Sequence, residues 1–286
     1  MSRRARTKLK LVADAADTLA RFIAARGGIP EEEARAAIAR GGAFLRGRRA
    51  RDPDAVVGPG DRIDVALQAP SAPALTRAQL LHLDESVIAV DKPAGVSAQE
   101  DLAGGPALPQ LCSALLAELG EKQTQALLVH RLDKGTTGVC ILARNRRAQS
   151  ALLEEFREHR ARKEYRALVA GSPAQDEGTI DVEVDRQKAT TRWRVLEWYE
   201  GAASMAAFPE TGRTHQIRAH FRELGCPLLG DTRYGGPAFL TRPDGARHDF
   251  ARPMLHALAL ELPGLRLSAP MPADFEAARA FLSRGR

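Results

Sequence analysis

Between Gln68 and Gln79 the chain reads QAPSAPALTRAQ, with two prolines and no apolar period of a strand or a helix. Proline has no backbone N–H to give to a ladder, so such a stretch does not run through the middle of a sheet or helix. It reads as a linker. The 286 residues then divide into a piece of 1–67 and a piece of 80–286, both within the usual range of domain sizes.

With 44% apolar and 27% charged residues, the chain has the balance of a globular protein and is not largely disordered. Its 42 basic and 36 acidic residues give a net charge of +6. Residues 1–67 hold 14 of the basic and 9 of the acidic ones, so nearly all of the excess lies at that end. A basic end suits a nucleic-acid partner without requiring one. The three cysteines, Cys112, Cys140 and Cys226, are odd in number and far apart. That spacing fits neither a zinc knuckle nor a redox pair, and reads as buried thiols in a reducing cytosol. No apolar run approaches the roughly 20 residues of a membrane helix. The basic start MSRRARTKLK is not followed by a signal-peptide core. The expectation is a soluble, cytoplasmic protein with no membrane partner, acting as a monomer.

In the first piece the first ten residues read as a basic, mobile tail. Asp17 reads as the cap of a helix over TLARFIAARGG, ended by Gly27-Gly28. A second helix is expected from Pro30 through EEEARAAIAR, with three glutamates near its positive end. Strands are expected at AFLRG and DRIDVAL. In the second piece, SVIAVDKPAG reads as a strand and turn, LPQLCSALLAELG as a helix, and ALLV and GVCILA as strand segments flanking a polar loop. RRAQSALLEEFREHR is an amphipathic helix pattern. KEYRALVAG, DVEVD, TTRWRVLEW and AASMAAFPE read as strands, and RTHQIRAHFRELG as a short helix. Strict strand–helix alternation is missing. The expected fold is therefore α+β: a mixed, mainly antiparallel β-sheet domain with flanking helices, preceded by a small α/β domain.

Three segments hold residues suited to chemistry. The loop HRLDKGTTG sets Asp133 among His130, Arg131 and Lys134, and cations keep a carboxylate ionised. Taken alone, Asp133 also reads as a turn cap. In ETGRTHQIRAH, Arg213 and Arg218 supply guanidiniums, and His215 and Gln216 supply polar groups. His215 and His220 are five apart and do not share a helix face, which disfavours a zinc pair. Tyr165 stands between Lys163 and Arg166, an aromatic beside cations that suits stacking on a base, although taken alone it reads first as a tyrosine packed at a sheet edge. No phosphate-binding glycine loop and no GxSxG elbow is present.

In order, the segments DKPAG, HRLDKGTTGVCILARN, KEYRALVAG, QKATTRWRVLE, ETGRTHQIRAHF, PLLGDTRYGG and MLHALAL resemble the RluA-type pseudouridine synthases, from about Leu80 to the C-terminus. The resemblance implies isomerisation of uridine within structured RNA, ribosomal or transfer RNA, with no cofactor and no metal. It implies Asp133 as the catalytic aspartate and Arg218 as its basic partner. Tyr165 matches the tyrosine that stacks on the uracil, and Arg131 the arginine that replaces the displaced nucleotide in the RNA stack. His130, Arg213 and His215 fall at motif positions expected to bind substrate, and Leu255 at an apolar position lining the pocket. Asp17 to Val65 resembles the small S-four-like RNA-binding domain, but Pro30 and Glu31–Glu33 stand where that domain carries cations. Arg35, Arg46 and Arg48 are its remaining candidate RNA contacts. The expected target is large-subunit ribosomal RNA. The alternatives are transfer RNA, an RNA-binding protein without catalysis, and a metal-dependent hydrolase resting on the seven histidines.

Overall fold

The computed structural model describes residues 8–39, 41–67, 74–99 and 106–284. Met1–Thr7 of the expected tail, Arg40, and Gln68–Pro73 of the expected linker lie outside the described residues. The chain divides into two compact units, with a break along the chain ahead of Ala74.

The first unit comprises β1 (Lys8–Val12), β2 (Asp17–Thr18), α1 (Leu19–Gly27), α2 (Glu31–Ala39), β3 (Ala43–Leu45), β4 (Arg48–Ala50), β5 (Val56–Val57) and β6 (Arg62–Ala66). Its main sheet runs β1-β6-β3-β4, all antiparallel. One face of that sheet contributes Leu9, Ala43, Ile63 and Val65 to a core shared with Leu19, Phe22, Ile23, Ala34 and Ile38 of the two helices. Two expectations are corrected. Lys8 and Lys10 belong to a strand, because they alternate with Leu9 and Leu11, whose side chains reach that core. Asp17 does not cap α1: it lies in β2 opposite Val57 and accepts the Thr18 N–H, and Thr18 occupies the cap position. The helix ends where expected, with Gly28 at φ 63° closing it.

The second unit is entered through a single 3-10 turn, Arg77–Gln79, whose Thr76 cap and Gln79 side chain satisfy each other's backbone. It comprises β7 (Leu80–Leu83), β8 (Val87–Lys92), α3 (Leu108–Glu118), β9 (Leu127–Leu128), β10 (Thr137–Ala143), α4 (Arg146–Arg157), β11 (Arg162–Ala170), β12 (Glu177–Asp181), β13 (Thr190–Tyr199), β14 (Ala202–Pro209), α5 (Gln216–Glu223), β15 (Phe239–Thr241), β16 (Arg247–Asp249), β17 (Leu255–Leu262), β18 (Leu265–Ser268) and α6 (Ala273–Ser283). The large sheet runs β12-β13-β14-β11-β17-β10-β8-β7, with β18 on β17 and β9 on β10. Only β10 with β17 is parallel among its described pairs, so the fold is mixed α+β and mainly antiparallel. DVEVD is not a strand. β12 ends at Asp181, and Val184 meets only Gln187 in an isolated bridge.

The centre of the sheet explains the run GVCILA. Every residue of β10 is buried, as a strand covered on both faces must be. In β14, Ala203 and Ala207 leave room for Ile217 and Phe221 of α5 to lie close against the sheet. Cys112, Cys140 and Cys226 are all free and buried. Gly138 sits opposite Ala257 at the parallel junction with φ 111°, and a Cβ there would lie 2.2 Å from the Ala257 carbonyl oxygen. Only glycine fits both the dihedral and the contact. Gly138→Ala should therefore cost at least about 1–3 kcal/mol from backbone strain, seen as a lower denaturant midpoint with an unchanged slope.

Candidate active site

The polar loop between β9 and β10 and the segment that leads into α5 face each other across a cavity of about 450 Å³, within the range of sites for small molecules. His130, Arg131, Asp133, Tyr165, Arg213, His215, Arg218 and Leu255 all line it. The structure thus brings together every candidate residue that the sequence placed in the second piece.

Asp133 is released from turn duty by the backbone. The Thr136 N–H donates to the Asp133 carbonyl oxygen at 3.0 Å, which leaves the carboxylate to point elsewhere. One carboxylate oxygen accepts from Arg218 Nη1 at 3.3 Å, and the other lies 3.8 Å from His215 Nε2. Arg218 makes its shorter bonds to Asp231, from Nε at 2.6 Å and Nη2 at 2.8 Å. That fork is bidentate, the strong form of an arginine–carboxylate pair. Burial pulls the Arg218 guanidinium down, but the hydrogen bonds and charge of Asp231, followed by Asp133, hold it above its ordinary value. The guanidinium also lies 4.9 Å from the ring centre of Tyr234, whose hydroxyl is 3.1 Å from His215 Nδ1. Burial lowers the His215 pKa, with Asp133 opposing and Arg218 and Arg233 adding to the shift.

Sequence reasoning missed Asp231 and Tyr234, both within the quoted GDTRYGG. Their signal was the motif itself, since a DTRY run reads as an ordinary polar turn until Arg218 is brought to it. It also gave Gln216 no specific task. This buried amide accepts from Thr211 Oγ1 and the Arg213 N–H, and donates to the Thr190 carbonyl and Thr191 Oγ1. All four of its hydrogen bonds are made, which pins the loop 211–215 onto β13. The expected helix accordingly starts three residues late, at Gln216, and His215 adopts the left-handed conformation at φ 57° that aims its ring at Asp133.

The Asp133 loop is anchored from beneath by two buried cations. Lys92 is fully buried, and its ammonium donates to the carbonyls of Pro93, Val96 and Lys134 at 3.1, 2.9 and 3.4 Å. Burial lowers its pKa to about 8, against the opposing charges of Cys140 and Asp133. Arg252 forks onto Asp274 at 2.7 and 2.8 Å and donates to the carbonyls of Gly135 and Leu255. It ties the loop to the start of β17, where Leu255 enters the cavity wall.

Along the opposite wall, partly buried Tyr165 stands on β11 beside Lys163. Burial, then the charge of Asp133, push the Tyr165 phenol upward, so it remains neutral. Lys163 donates to the Thr211 carbonyl at 2.8 Å, and burial lowers its pKa to about 8. Arg131 donates to Thr214 Oγ1 at 3.1 Å and Arg213 to the Lys188 carbonyl at 3.1 Å, both at the exposed rim. His130 sits deeper than a rim residue: its ring stacks on Phe156 at 4.8 Å, and Nε2 accepts the Ile141 N–H at 3.0 Å. In the first unit, by contrast, Arg35 is tied to Glu31 and Asp54, and Arg46 forks onto Asp61. Arg48 is exposed at the start of β4.

The family model described as RNA pseudouridylate synthase matches residues 86–223. A ribosomal large subunit pseudouridine synthase D of Xanthomonas campestris pv. campestris is 34% identical over 272 residues, covering 84% of this chain and 80% of that protein. This chain belongs to the RluA-type RNA pseudouridine synthase family. The corresponding synthase D of Pseudomonas aeruginosa is 34% identical over 225 residues, covering 69% of each chain. Among solved structures, the human RNA pseudouridylate synthase domain containing 4 is similar with a TM-score of 0.61 at 26% identity. That likeness covers 72% of this chain and 93% of the human one. Members of this family are isomerases acting on RNA. No helix among the described residues is long and apolar enough to cross a membrane.

His130 yields a pH prediction. Burial, followed by the charge of Lys163, lowers its pKa to about 3 from an ordinary value of 6.5. The unfolded chain therefore binds a proton between those values that the folded chain refuses, and stability should fall as pH drops through that window. Urea unfolding from pH 7 to pH 4 should show this loss. His130→Gln keeps an acceptor for the Ile141 N–H and should make the fall shallower.

Proposed function

We propose that this protein isomerises specific uridines to pseudouridine in large-subunit ribosomal RNA, with Asp133 as the catalytic aspartate. The observation that carries the proposal is the Asp133 carboxylate held on Arg218 in the wall of a cavity that Tyr165 also lines. The names of the bacterial relatives supply the RNA class.

A stacked uridine is out of reach of a carboxylate in a cavity, so the nucleotide turns out of the RNA at a cost of a few kcal/mol. Stacking of the uracil on Tyr165 returns about 1–3 kcal/mol. Arg131, at the rim, fills the place it vacates. Arg218 donates to the Asp133 carboxylate and fixes its direction. The glycosidic N–C bond then breaks, the uracil turns over within the cavity, and a C–C bond forms to its carbon 5. The hydrogen at that carbon leaves as a proton, and the ring nitrogen freed from the sugar gains one. Substrate and product are isomers, so the step needs no oxidant or energy source. Asp133 acts on the sugar either by attack at its anomeric carbon or by taking a proton from it. Leu255 supplies an apolar wall, and the rim cation Arg213 meets a phosphate.

Tritium release from RNA labelled at uracil carbon 5 tests the proposal. Asp133→Asn should abolish release, by at least about a thousandfold, while the melting temperature stays near that of the parent; appreciable turnover in this variant rules Asp133 out as the catalytic group. Tyr165→Phe should still bind RNA, whereas Tyr165→Ala should lose use of the flipped base. Equal rates in all three proteins remove Tyr165 from the site. Asp231→Asn weakens the fork on Arg218 and should reduce kcat about 10- to 100-fold with little change in KM. Pseudouridine mapping of ribosomal and transfer RNA in cells lacking the protein identifies the target.

A further inference from the structure

The two arginines of the first unit best placed by sequence, Arg35 and Arg46, are neutralised within the unit by Glu31, Asp54 and Asp61. The second helix, which carries Arg35, opens on three glutamates and has no basic residue in its last turn. A phosphate backbone finds little attraction there.

The main sheet offers a different surface. Strand register sets which side chains share a face, because residues directly opposite on paired strands point the same way. Leu9, Val65, Ala43 and Ala50 form one rung toward the helices, and Leu11, Ile63 and Leu45 the next. The other face is open along β1 and at Arg62 and Asp64 of β6, while Phe44 and Arg49 are half-buried and Ala66 is buried. Its central rung runs Lys10, Asp64, Phe44, Arg49 across all four strands, flanked by Lys8 opposite Ala66 and by Val12 opposite Arg62. Lys8, Lys10, Val12, Arg62 and Asp64 are exposed. The Arg49 guanidinium lies over the half-buried Phe44 ring at 5.0 Å. Three exposed cations, Lys8, Lys10 and Arg62, thus share this face with one carboxylate, while half-buried Arg49 donates to the Gly41 carbonyl at 2.5 Å. Three more arginines, Arg3, Arg4 and Arg6, precede β1 in the sequence.

We infer that the open face of the β1-β6-β3-β4 sheet docks the phosphate backbone of the RNA substrate. Charge complementarity names the occupant: Lys8 and Lys10 on β1 and Arg62 on the neighbouring strand β6, about 5 Å away, together face a polyanion. Asp64, opposite Lys10, offsets one of them and leaves the exposed side chains of this face net positive. The inference rests on the RNA reading of the second unit for the identity of the ligand, but its test does not depend on catalysis there.

The experiment compares the full-length protein, the triple variant Lys8→Gln, Lys10→Gln, Arg62→Gln, and the variant Arg35→Gln. Binding to bacterial large-subunit ribosomal RNA transcribed in vitro is measured from 50 to 300 mM KCl. The substituted side chains are exposed strand positions outside the core, and circular dichroism confirms that each variant is folded. The triple variant should bind about 10-fold or more weakly at low salt. Its log–log salt dependence should be shallower by about 2 to 3, at roughly 0.9 per phosphate contact. Tritium release at saturating RNA should stay at the parental rate. An unchanged affinity and slope in the triple variant overturns the proposal. So does an equal or larger loss in Arg35→Gln, which would return the contact to the helices. Retained RNA binding with lost binding to polyglutamate would assign the face to an acidic protein and overturn it as well. A parent that binds RNA through this face yet releases no tritium would refute the synthase mechanism and leave the docking face standing.

Discussion

One guanidinium between two carboxylates organises the second unit. Arg218 is nearly buried, and a lone charge there would be costly. Asp231 supplies the bidentate partner, and that pairing leaves only Nη1 for Asp133. The asymmetry matters. A carboxylate gripped by both arms of an arginine is stabilised and inert, whereas Asp133 accepts one longer hydrogen bond and keeps an oxygen facing the cavity. Asp231 thus takes most of the charge compensation, and Asp133 the smaller share. Tyr234 closes the arrangement beneath the guanidinium and steadies His215 on the far side of Asp133.

The same logic runs through the loop that carries Asp133. Loops owe their position to what holds their backbone, and here the carbonyls of Lys134 and Gly135 are taken by Lys92 and Arg252. Both cations are buried and both come from elements far apart in the chain. Satisfying a buried ammonium with carbonyl oxygens fixes the loop from inside, so its outer surface is left free for substrate.

Much of this was legible in the sequence. The alternation in DRIDVAL, the apolar run GVCILA and the amphipathic helix after Asn145 each carry a local signal strong enough to survive folding. The candidate residues Asp133, Tyr165 and Arg218 were legible through the ordered motifs, and the cavity gathers them. What was not legible depends on partners remote in sequence. DVEVD alternates like a strand but finds no neighbouring edge. Lys8 and Lys10 look like a solvated tail until Leu9 and Leu11 are given a core to enter. His215 belongs to a helical pattern, yet the four hydrogen bonds of Gln216 hold the preceding loop in a different conformation. The pairings of Arg35 and Arg46 are likewise invisible in a count of charges.

The parallel junction of β10 with β17 sets an order of events. Thr137 pairs with His256, 119 residues later. The Asp133 loop enters β10, and its wall at Leu255, its anchor Arg252 and the partner Asp231 all lie in the last fifth of the chain. A ribosome synthesising this protein therefore releases the HRLD loop when Lys92 is the one of its two buried anchors already made, long before Arg252. The site closes only once β17 slots in beside Gly138. A chain truncated after α5 would keep its Asp133, Tyr165 and Arg218 and yet lack Asp231, Arg252 and Leu255, and with them the geometry that gathers the three.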